Sequence, residues 1–351
     1  MLLLRATKGL PRLAIAGLAK NTGKTQALTT LITERARCDC RLGITSVGRD
    51  GECRDVIDHR IRKPRIRVPV GSLVATTDQL IRVSAGRYTV LARPALRTPL
   101  GSVVICLAES EAPVEVAGPS SAAGVRLVCA LMAHLGADQV IIDGALDRRF
   151  AASPAVSDGV VLSTGAVLDE EMSRVVRRTQ DAVAVLTLPV TADQAVLATR
   201  ALRAKNSIVA ENGTAVTFGD RVGLSATAAQ LLSLLSRYPR ARALVLGGAV
   251  AEGFVEDYLR AVGQDGPVLV ARDPTKVFVG GRGIGWYQRR GLRLNVMETV
   301  DVRAITVNPV APGRHRFDSG LLREQLAEAL GNGVPVLDVM AADYPRLPEQ
   351  G

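Results

Sequence analysis

The chain has 351 residues, of which 47% are hydrophobic and only 3% aromatic, so its core must consist mainly of Val, Leu, Ala and Ile. No apolar run reaches the roughly 18–20 residues that a membrane-spanning helix needs, which excludes a membrane protein. Five cysteines without a framework spacing, and a first apolar run too short for a signal peptide, predict a cytoplasmic chain with reduced thiols.

The net charge of +10 does not by itself indicate nucleic-acid binding. Arginine is spread through the whole chain, and no basic stretch alternates with aromatic residues that could stack on bases. We therefore do not expect a nucleic-acid partner. One segment, 60–67, concentrates five cations in eight residues. It is interpreted either as a surface for a partner or anionic ligand, or as a strand edge protected by charge.

The N-terminal part reads as alternating strands and helices. Residues 12–16 are predicted to form a buried strand, followed by a glycine-rich turn and a helix over 24–36. A second strand over 41–47 ends in the polar loop 48–52. Val- and Leu-rich strands that alternate with helices favour a mostly parallel sheet.

The middle of the chain departs from this alternation. Short strands joined by turns over 88–117 predict an antiparallel insertion or sheet edge. A helix over 121–135 then leads into the strand 139–142, which ends at Asp143.

From residue 242 a new series of strands and helices begins. We expect a mostly parallel α/β fold of the P-loop NTPase type, flanked by helices and carrying the short antiparallel insertion. The expected division is a P-loop domain over 1–240 and a C-terminal α/β portion over 241–351. That portion is either a second domain or the same sheet continued.

The residues from Gly17 to Thr25 carry the strongest chemical signal. A strand leads into this turn, and a helix follows it, so backbone N–H groups and the helix dipole converge where a phosphate would bind. Lys24 can reach the β- and γ-phosphates of ATP, and the Thr25 hydroxyl can coordinate Mg²⁺. The predicted nucleotide contacts are Gly17, Lys20, Asn21, Thr22, Gly23, Lys24 and Thr25.

The match to the standard phosphate loop is imperfect. The position of the first glycine is occupied by Leu18, and Gly17 lies one residue earlier. Lys20 adds a second cation, four residues before Lys24, which resembles loops whose extra lysine acts across a dimer. A homodimer is therefore left open. An ordinary strand–helix turn is the alternative interpretation of the whole segment.

Acidic residues at strand ends support the nucleotide hypothesis. Asp143 follows a buried strand and is predicted to order Mg²⁺ through water, although a turn or helix-capping aspartate would look the same. Asp50 and Glu52 follow the second strand at the same sheet edge, where either could contact Mg²⁺ or orient water. The predicted catalytic residues are Lys24, Asp50, Glu52 and Asp143, and the predicted metal ligands are Thr25, Asp50 and Asp143.

Asn308 and the segment 273–276 also fall just past predicted strand ends, the edge at which α/β proteins bind ligands. Asn308 is interpreted as a reader of the adenine edge, although turn formation explains Asn308-Pro309 equally well. No N-K-x-D sequence occurs, which favours ATP over GTP.

Four segments together resemble a known family: 17–25, 45–52, 142–149 and 273–276. The chain is similar, from about 12 to 340, to the smaller P-loop subunit of the reactivase of lysine 5,6-aminomutase and D-ornithine aminomutase. The resemblance implies an ATPase that works beside a MutS-like ATPase subunit. Together they would exchange damaged cobalamin on an adenosylcobalamin- and PLP-dependent aminomutase. It also implies that Lys24 and Thr25 bind phosphate and Mg²⁺.

Two other functions stay open at this point. One is an ATP-dependent carboxylate ligase or cyclase of the dethiobiotin-synthetase type. Such an enzyme needs a substrate-binding lysine after the second strand, and Gly48-Arg49-Asp50 offers none. The other is a non-catalytic scaffold that keeps a nucleotide for structure.

Overall fold

The computed structural model describes residues 2–38, 40–48, 65–144, 150–202, 206–218, 228–313, 315–331, 333–341 and 344. The predicted residues Asp50 and Glu52, and most of the basic segment 60–67, lie outside these residues. Within them, no helix has the length and apolar character that crossing a membrane requires.

The strands alternate with helices along most of the chain. The strands, numbered in chain order, are β1 Arg12–Gly17, β2 Leu42–Ser46, β3 Ile66–Val68, β4 Leu73–Thr77, β5 Tyr88–Ala92, β6 Arg97–Thr98, β7 Gly101–Ala108, β8 Ala112–Val114, β9 Gln139–Asp143, β10 Gly159–Gly165, β11 Asn206–Val209, β12 Ala215–Phe218, β13 Ala243–Leu246, β14 Val250–Ala251, β15 Val268–Ala271, β16 Val277–Phe278, β17 Leu294–Val296, β18 Val302–Asn308 and β19 Val336–Leu337. The α-helices are α1 Leu2–Ala6, α2 Lys24–Ala36, α3 Asp78–Arg82, α4 Ala122–His134, α5 Met172–Leu186, α6 Gln194–Ala198, α7 Ala228–Ser236, α8 Glu252–Val262, α9 Ile284–Gln288 and α10 Ser319–Leu330.

Contacts group the chain into two compact units. Unit one comprises Met1–Val176 and Val302–Gly351, and unit two comprises Arg177–Asp301. This grouping differs from the expected boundary near 240. The reason is that β11 and β13, which lie on either side of that boundary, are hydrogen-bonded neighbours in one sheet. The chain then returns to unit one with β18, which pairs in parallel with β10.

Unit one is built around a mixed sheet in the order β19-β18-β10-β1-β9-β2-β4-β7-β5, with β6 paired to β7. Every neighbouring pair from β19 to β4 is parallel. Strands β5 and β7 run antiparallel, which confirms the antiparallel sheet edge expected over 88–117. The α/β class with a mostly parallel sheet is likewise confirmed.

The central strands of this sheet are mostly apolar and buried, as expected for strands covered on both faces. Helix α2 packs against β1 and β10, and α4 packs against β2 and β9. Side chains from these strands and from α2 share one core and are at most 2% exposed: Leu13, Ile15, Leu28, Leu31, Ile32, Ile141 and Val161. Each such side chain contributes roughly 1.5–3 kcal/mol through its burial. The loop between β1 and α2 is therefore carried by two well-packed elements.

Unit two has its own sheet in the order β12-β11-β13-β15-β17. Strands β13, β15 and β17 are parallel, whereas β11 and β12 are antiparallel to their neighbours. Its core is separate from that of unit one and includes Leu244, Leu269 and Tyr287.

Candidate functional site

The candidate site lies at the carboxyl-terminal edge of the unit-one sheet. Strands β9 and β10 flank β1 on opposite sides, although β1 is connected through α2 to β2 and not to either neighbour. This is a topological switch point, at which open α/β sheets form a crevice for ligands. The strand register places Asp143 beside Ile15 on β1, and Gly17 beside Ser163 on β10.

The loop between β1 and α2 contains two left-handed residues, a feature that it shares with anion-binding nests. Asn21 has φ 65° and Gly23 has φ 84°, both in the left-handed region. Within the described residues, the backbone N–H groups from Ala19 to Gly23 donate to no protein acceptor. Successive N–H groups in such alternating backbone form a concave site for an anion such as phosphate.

The structure explains why the glycine stands at position 17 and not at position 18. A Cβ at this position would lie 2.5 Å from the Thr22 hydroxyl oxygen and 3.1 Å from the Ala19 carbonyl oxygen. Thr22 is buried, and its hydroxyl donates a hydrogen bond of 3.0 Å to the Ala19 carbonyl. The loop therefore folds back over Gly17, where a side chain has no room, and Leu18 need not be glycine. The Leu18 N–H anchors the loop to the Ser163 carbonyl at 2.8 Å.

Helix α2 adds its positive end to this loop. It begins at Lys24, and no side chain caps its N-terminus, so its first N–H groups and its dipole point toward the loop. The Thr25 side chain is half-buried and makes no hydrogen bond within the described part of the chain. Lys20 is exposed and likewise forms no ion pair there. Both groups are free to contact a ligand.

Lys24 and Asp143 form an ion pair across the site. The ammonium Nζ lies 2.9 Å from the Asp143 Oδ1, and the two side chains are 26% and 25% exposed. The sequence predicted Lys24 as a phosphate ligand and Asp143 as a metal-ordering carboxylate, and the structure brings the two together. A phosphate that binds Lys24 must compete with this carboxylate.

Asn308 also reaches the loop, but its amide is not free. Its Nδ2 donates a hydrogen bond of 2.9 Å to the Asn21 carbonyl, and its Oδ1 accepts one of 3.1 Å from the Val310 N–H. The sequence predicts Asn308 as a reader of the adenine edge. The geometry instead gives this amide two partners in its own chain, one of them in the loop.

The ends of strands β10 and β18 lie next to the loop. The residues that hold these two strand ends together were not predicted from the sequence. The hydroxyl groups of Ser163 and Thr306 are 2.8 Å apart and buried. A Cβ at Gly165 would lie 2.2 Å from the Asn308 carbonyl oxygen, so only glycine allows these strand ends to approach so closely. Polar residues in the apolar strands 159–165 and 302–308 were the signal in the sequence.

The end of β2 closes another side of the same sheet edge. The Ser46 hydroxyl donates to the Val116 carbonyl at 3.0 Å and accepts from the Gly118 N–H at 3.0 Å. Asp50 and Glu52 follow a few residues later in the sequence. Because both residues lie outside the described residues, their roles stay predictions from the sequence.

The set of protein donors for a divalent cation at this edge is small. Among the described residues, no group of three or more His, Cys, Asp or Glu side chains could hold a metal. Mg²⁺ in nucleotide sites needs only one or two protein ligands, since phosphate oxygens and water complete its octahedron. The free Thr25 hydroxyl and the Asp143 carboxylate at the same edge satisfy that smaller requirement.

No protein-family model matches the chain, and neither a curated protein nor a solved structure matches it. The functional argument therefore depends on the residues and geometry of the chain.

Proposed function

We propose that this protein binds MgATP at the loop from Gly17 to Thr25 and hydrolyses it. The observation that carries the proposal is the cluster of backbone N–H groups from Ala19 to Gly23 without an acceptor in the described residues. Unsatisfied donors at the start of a helix favour an anion strongly. The lysine and hydroxyl beside them match what a magnesium–triphosphate needs.

Each group has a defined part in binding. The loop N–H groups would hold the β-phosphate, and Lys24 would neutralise charge on the β- and γ-phosphates. Thr25, together with Asp143 through water, would hold Mg²⁺, which supplies charge neutralisation to the γ-phosphoryl group. Lys24 would leave Asp143 as the triphosphate enters, because one ammonium group cannot be centred on both anions.

Hydrolysis follows from the same electrostatics. Phosphoryl transfer needs little covalent help from a protein, because most of the acceleration comes from positioning and from stabilising negative charge on the transferred group. The attacking water needs one polar group to orient it. Asp50 and Glu52 are proposed for this task from their place after β2 in the sequence.

The resemblance to aminomutase reactivases extends the proposal to a partner. In this extension, ATP turnover drives a MutS-like subunit and this chain to release damaged cobalamin from lysine 5,6-aminomutase or D-ornithine aminomutase. It is tested by co-purifying the chain with each partner and by measuring recovery of the inactivated aminomutase with ATP. Recovery that needs both the chain and ATP supports the extension, and recovery without the chain contradicts it.

The hydrolysis proposal is tested by phosphate release. Phosphate release from MgATP is compared at equal protein concentration for wild type, Lys24→Ala and Lys8→Ala. Lys8 is an exposed lysine outside the loop and serves as the control. We expect Lys8→Ala to match wild type and Lys24→Ala to lose turnover. Turnover that appears only with an added carboxylate substrate would identify a ligase instead. Tight binding without turnover, alone or with partners, would identify a scaffold.

A further inference from the structure

We propose that Asn308 is a positioning residue, which holds the phosphate loop in its anion-binding conformation and does not read the base. The inference rests on the proposed function, because it concerns the same nucleotide site. In this role Asn308 contributes to binding of the polyphosphate chain and not to recognition of the base.

The backbone of Asn21 is held in an unusual conformation. Its φ is 65°, and among the described residues Asn21 is the non-glycine residue with a positive φ. A left-handed conformation costs an L-residue about 1–2 kcal/mol, although asparagine tolerates it better than most. The residue is also exposed, so packing of its own side chain does not impose this conformation. A specific contact elsewhere must favour it.

The bond from Asn308 supplies that contact. Its Nδ2 donates to the Asn21 carbonyl oxygen at 2.9 Å, across 287 positions of sequence. In a planar trans peptide the C=O and the following N–H point in opposite directions. Fixing the Asn21 carbonyl therefore also fixes the direction of the Thr22 N–H, one of the donors of the nest.

Asn308 is itself rigidly held. Its Oδ1 accepts the Val310 N–H at 3.1 Å, which closes a turn around Pro309. It ends β18, whose register pairs it with Gly165 on β10, where the backbones approach closely. A Cβ at Gly23 would also come within 3.1 Å of the Asn308 Cβ. The brace is therefore anchored on the sheet, bonds to the Asn21 carbonyl and lies beside Gly23.

The same two bonds favour a role within the chain over adenine recognition by this amide. An asparagine that reads adenine uses its NH₂ and its carbonyl oxygen together. Both groups of Asn308 are already used within the chain. One N–H and one lone pair remain, so the amide could meet a base only in the orientation that these two bonds already fix.

The test compares probes with and without a base. Isothermal titration calorimetry measures binding of MgATP, MgGTP and magnesium tripolyphosphate to wild type, Asn308→Ala and Asn308→Ser. Losing one net hydrogen bond, about 1 kcal/mol, should weaken binding about fivefold. We expect the same factor for all three probes, because the brace acts on the shared phosphate chain. Asn308→Ser gives the same comparison if Asn308→Ala fails to fold.

A second substitution separates positioning from general destabilisation. In an Asn21→Gly background the left-handed backbone costs little without a brace, so Asn308→Ala should weaken binding less than twofold there. The matched control is Asn212→Ala, which removes another turn-forming asparagine whose Oδ1 accepts the Thr214 N–H at 3.0 Å. It lies in unit two and should leave all three affinities unchanged.

Each outcome decides between the readings. A loss confined to MgATP would make Asn308 a base reader and overturn the inference. An unchanged affinity, or an equal loss that persists in the Asn21→Gly background, would also overturn it. Wild type that binds none of the probes would instead refute the proposed function, and the inference would fall with it.

Discussion

Breaking the ion pair between Lys24 and Asp143 should raise triphosphate affinity without Mg²⁺ and lower the rate of hydrolysis with Mg²⁺. Asp143→Asn removes the carboxylate that holds Lys24 but keeps the shape of the side chain. Without Mg²⁺ the freed ammonium group should bind a triphosphate more tightly. With Mg²⁺ the loss of a metal-ordering carboxylate should slow hydrolysis.

The magnitude follows from the geometry. The charged atoms are 2.9 Å apart, and about a quarter of each side chain is exposed. Exposed pairs contribute about 0.2–1 kcal/mol, and partial burial places this pair near or slightly above the upper value. About 1–1.4 kcal/mol corresponds to a five- to tenfold gain in affinity. Loss of an electrostatic group from a phosphoryl-transfer site should lower turnover about 10²–10³-fold.

The assay is calorimetric titration of tripolyphosphate in EDTA, followed by phosphate release from MgATP. The matched control is Asp158→Asn, because Asp158 pairs with Arg12 at 2.6 Å with similar exposures of 28% and 30%. That pair lies where β1 and β10 begin, at the opposite edge of the sheet. Asp158→Asn should leave both the tripolyphosphate affinity and the rate of phosphate release unchanged. Mg²⁺-free affinity that stays the same or falls in Asp143→Asn would refute the reasoning.

Three further predictions follow from the described residues. Gly17→Ala should weaken MgATP binding at least tenfold, because the new Cβ would lie 2.5 Å from the Thr22 hydroxyl oxygen. The control Gly248→Ala should bind MgATP like wild type, because a Cβ there would have no atom within 4 Å. Thr25→Val should weaken MgATP binding about tenfold but leave Mg²⁺-free tripolyphosphate binding unchanged, as calorimetry would show, since it removes a hydroxyl ligand to the metal. Burial raises the pKa of Cys106 to about 11 and of Cys129 to about 12. Since the thiolate is the reactive form, Cys106 and Cys129 should resist iodoacetamide in the native protein at pH 8, and their labelling should quicken as the pH rises toward their pKa values.

Controls for these predictions are available in the same chain. Thr29→Val changes another half-buried threonine of α2 and should leave metal-dependent binding intact. Cys38 is exposed and should be labelled in the native protein, as peptide mass spectrometry would show. Equal weakening of binding with and without Mg²⁺ in Thr25→Val, or labelling of Cys106 as fast as Cys38, would contradict the corresponding prediction.

The sequence predicts the parts of the site that follow from local order along the chain. A buried strand, a glycine-bordered turn and a helix start predict Lys24 and Thr25 in the first turn of α2, where the structure has them, because each depends on neighbours within a few residues. Parallel strands meet at one edge, so the approach of Asp143 to the loop also follows from the strand–helix alternation.

The contacts that sequence reasoning missed are non-local. Asn308 lies 287 positions from Asn21, and no periodic pattern indicates that β18 returns to pair with β10 after unit two. The same return explains why the contact grouping differs from the boundary expected at 240, since the strand alternation within each unit has the same form. Asn308-Pro309 carries a turn signal, but nothing in that signal specifies which loop the turn will contact.

The central claim is that the loop from Gly17 to Thr25 holds a triphosphate, and one titration tests it most directly. MgATP is titrated calorimetrically into wild type and Lys24→Ala. The account predicts saturable one-to-one binding to wild type. The variant should bind ten- to a hundredfold more weakly, as expected for loss of a charged hydrogen-bond donor worth about 1.5–3 kcal/mol. No binding to wild type, or equal binding to both proteins, would contradict it.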